Sequence, residues 1–296
     1  MAENRNLSVS DHTVGKHYPR RAWQLLGRVF LYAVLIAWAL VQLFPLYWMF
    51  TFSLKDNFEI FNLNPIGLPL EWRWDNYTEV IENANMLTYF MNSVIVTAAS
   101  IVVVAIIGMM ATYALTRMVW RGRSAARNFL MLGLAIPIHA ALLPVFFILR
   151  DIQLLNTHFA LIIPYSAFAL SMGILIFIGF INGIPKELEE SACIDGCSVY
   201  GMFARIIVPL MAPAIAVVAI FTFLQCWNEL LFANTYVTAP SLRTLTAGIM
   251  ALSGQYRTEW GPIGAGLTIA TVPTLIVYAI LSEKVQRSLV LGAVKG

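Results

Sequence analysis

The sequence predicts an all-α integral membrane protein with six transmembrane helices, and three observations predict it. Of its 296 residues, 59% are hydrophobic and 12% are charged, an apolar share above the roughly half expected of a soluble domain. Mean hydropathy is +0.74, and six runs stay apolar for about 20 residues or more, the length at which a helix crosses a bilayer. Charge is also unevenly divided. With both ends on one side, fourteen of the nineteen Lys and Arg fall in segments on that side, which the positive-inside rule makes cytoplasmic.

Taken in order, residues 1–24 form a polar cytoplasmic tail carrying Arg5, Lys16, Arg20 and Arg21. The first spanning run is 27–50. It contains Ala37, Trp38 and Ala39, an A-x-A pattern, but continues apolar past it, which argues against a cleaved signal. An outer loop over 53–87 follows, with Trp72, Trp74 and Tyr77 among helix-breaking Pro65 and Pro69. Interfacial anchoring and contact with a partner both fit such aromatics. Spanning runs over 88–116 and 128–149 flank Arg117, Arg121, Arg123 and Arg127, which with Trp120 read as cytoplasmic anchors rather than a nucleic-acid patch. His139, in the third run, reads as an interior histidine. The fourth run is 158–181, the fifth 206–233 and the sixth 261–282, and 284–296 is a cytoplasmic tail. Within the six runs only Arg28 and Glu229 are charged, while Pro45, Pro137, Pro144, Pro164, Pro213 and Pro273 fall inside them, which membrane helices tolerate. Glu229 is the one carboxylate at membrane depth. It is either functional or a hydrogen-bonded cap for helix five.

Between runs four and five, residues 182–205 are polar. Asn182 and Gly183 stop a helix, and Pro185 suits the first position of the next. Glu187, Glu189 and Glu190 follow, carboxylates favoured at a helix N-terminus. Leu188, Ala192 and Ile194 or Asp195 recur at helical spacing, and Gly196 allows a turn. A second short helix carries Val199, Phe203 and Ile206 on one face. A solvated connector would look similar, but it has no reason to keep an apolar helical face unless a partner covers it. Cys193 and Cys197, at helical spacing, read as small packing residues, and Cys226 completes an odd set without zinc-ligand spacing.

The segment Glu190-Ser191-Ala192, with Asp195 and Gly196 and then Ile206, Val208 and Pro209, resembles the EAA loop of ABC-importer permeases. Ser191, Cys197 and Val208 depart from it by small changes of size. Cys226 to Ala233, reading CWNELLFA, resembles a second motif of the same permeases. Arg243-Thr244-Leu245 and a later Gly254 to Trp260 pattern resemble the outer loop that touches a solute-binding protein. The ending GAVKG resembles that of the maltose-type G subunits. The resemblance implies a type I ABC importer transmembrane domain with a docking loop at 182–205, in which Glu190, Ser191, Ala192, Asp195, Gly196, Phe203 and Pro209 couple to an ATPase. It also implies that Val294, Lys295 and Gly296 reach that ATPase, and that Arg243, Thr244, Leu245, Gly254 and Trp260 face the binding protein.

The implied partners are a homologous F-type permease subunit, an ABC ATPase dimer that binds ATP and Mg, an extracytoplasmic solute-binding protein and a carbohydrate, all assembled in membrane lipid. The chain itself carries no phosphate-binding G-x-x-x-x-G-K-[ST]. Its one Gly-Lys, Gly15-Lys16, is followed by His17. The expected function is a sugar or oligosaccharide permease working by alternating access. An ion-coupled secondary carrier is the alternative, although it would need several intramembrane carboxylates or histidines for coupling.

Overall fold

The computed structural model describes residues 19–253 and 258–293, with side chains over 24–253 and 258–280. The chain divides into two compact units, Met1–Met49 and Phe50–Gly296. The described part of the first unit lies in helix α1, Pro19–Phe52. Phe30 is 73% exposed and Trp38 65%, in keeping with a helix sheathed in acyl chains.

The regular elements among the described residues of the second unit are all helices, joined by turns. Its main elements are α2 (Met86–Thr116), α3 (Arg123–Leu132), α4 (Leu142–Asp151), α5 (Phe159–Ile181), α6 (Glu187–Ile194) and α7 (Val199–Leu210). They continue with α8 (Ala212–Trp227), α9 (Leu231–Tyr236), α10 (Leu245–Met250) and α11 (Trp260–Ala293). The α2/α5 pair forms the centre, and α8 packs on both. Along α2 the buried residues Ser93, Thr97, Ser100, Val104, Gly108 and Thr112 recur every three or four positions. A stripe of mostly small side chains lets helices approach closely in a membrane, where packing replaces the hydrophobic effect as the driving force. Phe177 of α5 lies over Gly108, and Gly173 of α5 sits against Val104 and Val218. A core of Val104, Ala169, Phe177, Ala214 and Val218 results.

Two of the expected runs depart from single helices. The run 128–149 is split between α3 and α4, each ten residues long. Ten residues of helix rise about 15 Å, half of the roughly 30 Å hydrocarbon thickness. Pro137 causes the break: it is extended at ψ 118°, removes an N–H donor and disfavours helix in the residue before it. The fifth run ends at Trp227 rather than 233, and its start is bent. α7 and α8 meet at 71° around Met211, between Pro209 and Pro213, and α7 winds as a π-helix over Phe203–Ile207. Among the described residues, four helices are long and apolar enough to cross a membrane, or five if the bent pair is one span. The sixth run is longer than expected, since α11 continues to Ala293. Val294, Lys295, Gly296 and Gly254 lie outside the described residues, as does most of the 1–24 tail.

Candidate docking segment and its anchors

Pro185 precedes the first turn of α6 rather than opening it, because Lys186 O already accepts from Glu189 N and Glu190 N. Glu187, Glu189 and Glu190 stand in that first turn, where the helix dipole favours them. The helix closes at Gly196, with φ +77°. Cys197 N donates to Ala192 O at 2.9 Å and Gly196 N to Cys193 O at 3.0 Å, the paired bonds of a Schellman stop. Ser198 then caps α7 by accepting from Gly201 N at 3.2 Å.

The faces differ from those the spacing suggests. Ala192 is buried, but Leu188 is 44% exposed and Ile194 87%. Val199 and Tyr200 are exposed on α7, while Met202 and Ile207 are buried and Phe203 half-buried against Tyr113 at 5.3 Å. Helical geometry explains it: Ile194 lies two positions, about 200°, from Ala192, so it leaves the face that Ala192 buries. Glu190, Ser191, Asp195, Gly196 and Pro209 are exposed. Cys193 is exposed and Cys197 lies beyond the end of α6, so the two do not share a packed helix face. The segment thus presents carboxylates beside uncovered apolar side chains, the combination expected of a partner-binding surface.

Its inner side is held by charge. Arg117, expected as a surface anchor, is buried: its Nε lies 2.7 Å from Glu189 Oε1, with side-chain exposures of 7% and 13%. Arg117 Nη2 donates to Ile181 O at 2.9 Å and Ile184 O at 2.7 Å. Tyr113 Oη donates to Glu189 Oε2 at 3.5 Å. Sequence reasoning missed this pair because its members are 72 positions apart, and each has a plausible local role.

At the other end of the unit, Glu229 is a cap, although of α9 and not of helix five. Its carboxylate accepts from Phe232 N at 2.9 Å and Ala233 N at 3.1 Å, and Tyr165 Oη donates to it at 2.6 Å. His139 is exposed on the 3-10 turn after Pro137 instead of interior. Thr244 and Leu245 are buried, so their side chains anchor their loop instead of being presented by it. Leu245 N donates to Ser93 Oγ at 2.8 Å, and Asn92 Nδ2 to Ser241 O and Arg243 O at 2.9 and 3.0 Å. His158 Nε2 is 3.0 Å from Asn92 Oδ1, and Asn156 Oδ1 accepts from Thr238 N and Ala239 N. Arg243 is half-buried, whereas Trp260 is 41% exposed and meets Phe61 edge-on at 5.9 Å.

The loop after α1 is built on a buried lysine that composition does not single out. Lys55 Nζ donates to Asn64 O at 2.6 Å and Gly67 O at 2.7 Å, and burial holds its pKa below the usual lysine range against the raising effect of Glu59. Trp72 and Trp74, stacked at 6.2 Å, are about half exposed. A cavity of 410 Å³ opens between α8, α10 and α11, lined by Asn228, Thr246, Thr271 and Thr274 with Ile249 and Leu267. Among the described residues no three His, Cys, Asp or Glu side chains gather as a metal site.

This arrangement of helices has counterparts. One solved structure, of a bacterial ABC transporter that imports the acidic polysaccharide alginate, matches with a TM-score of 0.78 over 89% of this chain and 97% of that one, at 20% identity. In sequence, the chain is 34% identical to the probable ABC transporter permease protein YurM of Bacillus subtilis, over 96% of this chain and 94% of the relative. It is also 34% identical to the diacetylchitobiose uptake system permease protein NgcG of Streptomyces coelicolor, over 88% and 87%. To the trehalose/maltose transport system permease protein MalG of Thermococcus litoralis it is 30% identical, over 92% and 99%. Residues 104–290 match the family described as the binding-protein-dependent transport system inner membrane component. With that match running from within α2 into α11, the chain is a multi-pass inner-membrane permease that belongs to the binding-protein-dependent transport system inner membrane component family.

Proposed function

We propose that the chain is the permease subunit of an importer for a sugar or oligosaccharide, moving its substrate by alternating access while partner subunits hydrolyse ATP. The observation that carries this reading is the α6–Gly196–α7 segment, anchored on one side and open on the other with acidic and apolar side chains. Glu190, Ser191, Asp195 and Gly196 meet an ABC ATPase dimer that binds ATP and Mg. Ala192 and Phe203 hold the two short helices in place behind them, exposed Pro209 sets the bend that couples α7 to α8, and Val294, Lys295 and Gly296 reach the same partner. A homologous F-type subunit completes the pathway. The cavity lined by Asn228, Thr246, Thr271 and Thr274 among apolar side chains is the part of this chain that borders it. The carbohydrate class is supported by the diacetylchitobiose and trehalose/maltose systems of the relatives. A second alginate-importer structure, with a periplasmic protein bound to an alginate pentasaccharide, supports a binding protein as donor. Arg243 and Trp260 lie on the loop that faces it. Both termini are cytoplasmic, as the partition of Lys and Arg supports.

The test is copurification followed by reconstitution. Affinity capture of this chain at low stringency brings down an ATPase and a second permease subunit, and vesicles carrying the complex take up a disaccharide or short oligosaccharide only with ATP and loaded binding protein. Uptake by this chain alone, driven by an ion gradient, refutes the reading.

A further inference from the structure

A solvated connector does not call for two buried charges. Taking such a pair out of water is unfavourable unless close contact and additional hydrogen bonds compensate; here the two charges touch as an ion pair without the alignment of a hydrogen bond between Nε and Oε1, and the compensation comes from the further hydrogen bonds around them. The Arg117 guanidinium lies 2.7 Å from the Glu189 carboxylate and also donates to Ile181 O and Ile184 O. Those carbonyls lie at and just beyond the C-terminal end of α5, where helix carbonyls lack intrahelical partners and the dipole favours a cation. One rigid, planar fork therefore joins the end of α2, which carries it, to the end of α5 and to α6. Tyr113, one turn earlier on α2, extends the junction. Its hydroxyl is 3.5 Å from Glu189 Oε2 and 3.5 Å from Met202 Sδ, and its ring packs on Phe203. The covalent link between α5 and α6 is weaker support, since Asn182, Gly183, Pro185 and Lys186 are all exposed.

Glu189 and Glu190 are thus neighbours with opposite tasks, one turned into the protein and one presented outward. We infer that Arg117 and Glu189 are positioning residues that fasten the docking segment to the ends of α2 and α5. Displacement of α6 by its partner then moves those membrane helices as one body instead of flexing the 182–186 turn. This rests on the reading of α6 as the ATPase-docking element.

The experiment uses the complete transporter in vesicles, with ATPase retention, ATP hydrolysis and sugar uptake measured for Arg117→Gln and Glu189→Gln. Both variants retain the ATPase, because the outward face is untouched, while sugar taken up per ATP falls about tenfold, within the usual range of coupling between sites. Arg117→Lys, which keeps the charge but loses the fork, falls between them and wild type. Exchange of the two residues does not restore the ratio, because it sets a carboxylate against the α5 carbonyls. The ratio separates positioning from mere folding, since fewer folded copies lower uptake and hydrolysis together. A wild-type ratio in both Gln variants, or full restoration by the exchange, overturns the inference. If the Gln variants fail to insert, Arg117→Lys and Glu189→Asp decide it by the same ratio. Failure of the wild-type complex to retain an ATPase or take up sugar strikes the proposed function instead.

Discussion

At φ +77°, Gly196 holds the left-handed conformation that ends α6, and a Cβ there would meet no atom within 4 Å. Its requirement within this chain is therefore conformational and not one of space. Asn visits that region readily and β-branched residues do not. Gly196→Asn is expected to retain most uptake and Gly196→Val to lose most of it, with normal membrane insertion in both; equal uptake in the two variants would refute a backbone role. Glu190 is exposed beside it, so its contribution lies toward the partner. Glu190→Lys should insert normally and yet lose the ATPase in a pull-down, because like charges juxtaposed across an interface are strongly unfavourable. Glu229 is different. Glu229→Leu strands the Tyr165 hydroxyl and the Phe232 and Ala233 N–H groups, each buried loss costing about 1–3 kcal/mol. Its signature is a lowered thermal midpoint in detergent. An unchanged midpoint would mean that the cap is dispensable.

Among the elements, the broken pair α3 and α4 and the segment 234–253 show most clearly how neighbours override local pattern. Apolar composition alone reads 128–149 as one helix, but Gly133 abuts Ser171 of α5, whose hydroxyl donates to Leu130 O at 2.7 Å. The end of α3 is thereby pinned to α5, and Pro137 redirects the chain. The segment 234–253 holds its course through Asn92, Ser93 and Asn156, polar residues that a sequence reading passes over. Asn92→Ala should weaken stimulation of ATP hydrolysis by loaded binding protein several-fold while leaving basal hydrolysis intact, because it frees Ser241 O and Arg243 O and loosens the loop rather than the core. Equal stimulation of variant and wild type would dissociate the loop from binding-protein contact.

For the whole molecule, the partition of positive charge makes a topology that can be read directly. Reporters fused after Gly122 or Gly296 should register cytoplasm, and those after Asn62 or Ser241 the outside. One reversed location would break the six-crossing scheme.

The sequence by itself determined that this chain lives in a membrane, that it is helical, and that residues 182–205 form a polar helix–glycine–helix segment. Each of these follows from short-range patterns: apolar runs of sufficient length, acidic residues at a helix start, and a glycine where the backbone must turn left-handed. Only the tertiary structure decided which of the four charged side chains Arg117, Glu187, Glu189 and Glu190 face inward, that Thr244 and Leu245 are buried anchors, and that Lys55 is the centre of a loop. A charged residue reads the same in sequence whether it meets solvent or a partner 72 positions away. Which of the two it meets is set by the close approach of α2 to α5, where Gly108 receives Phe177 and Gly173 receives Val104, a fit that no local pattern announces.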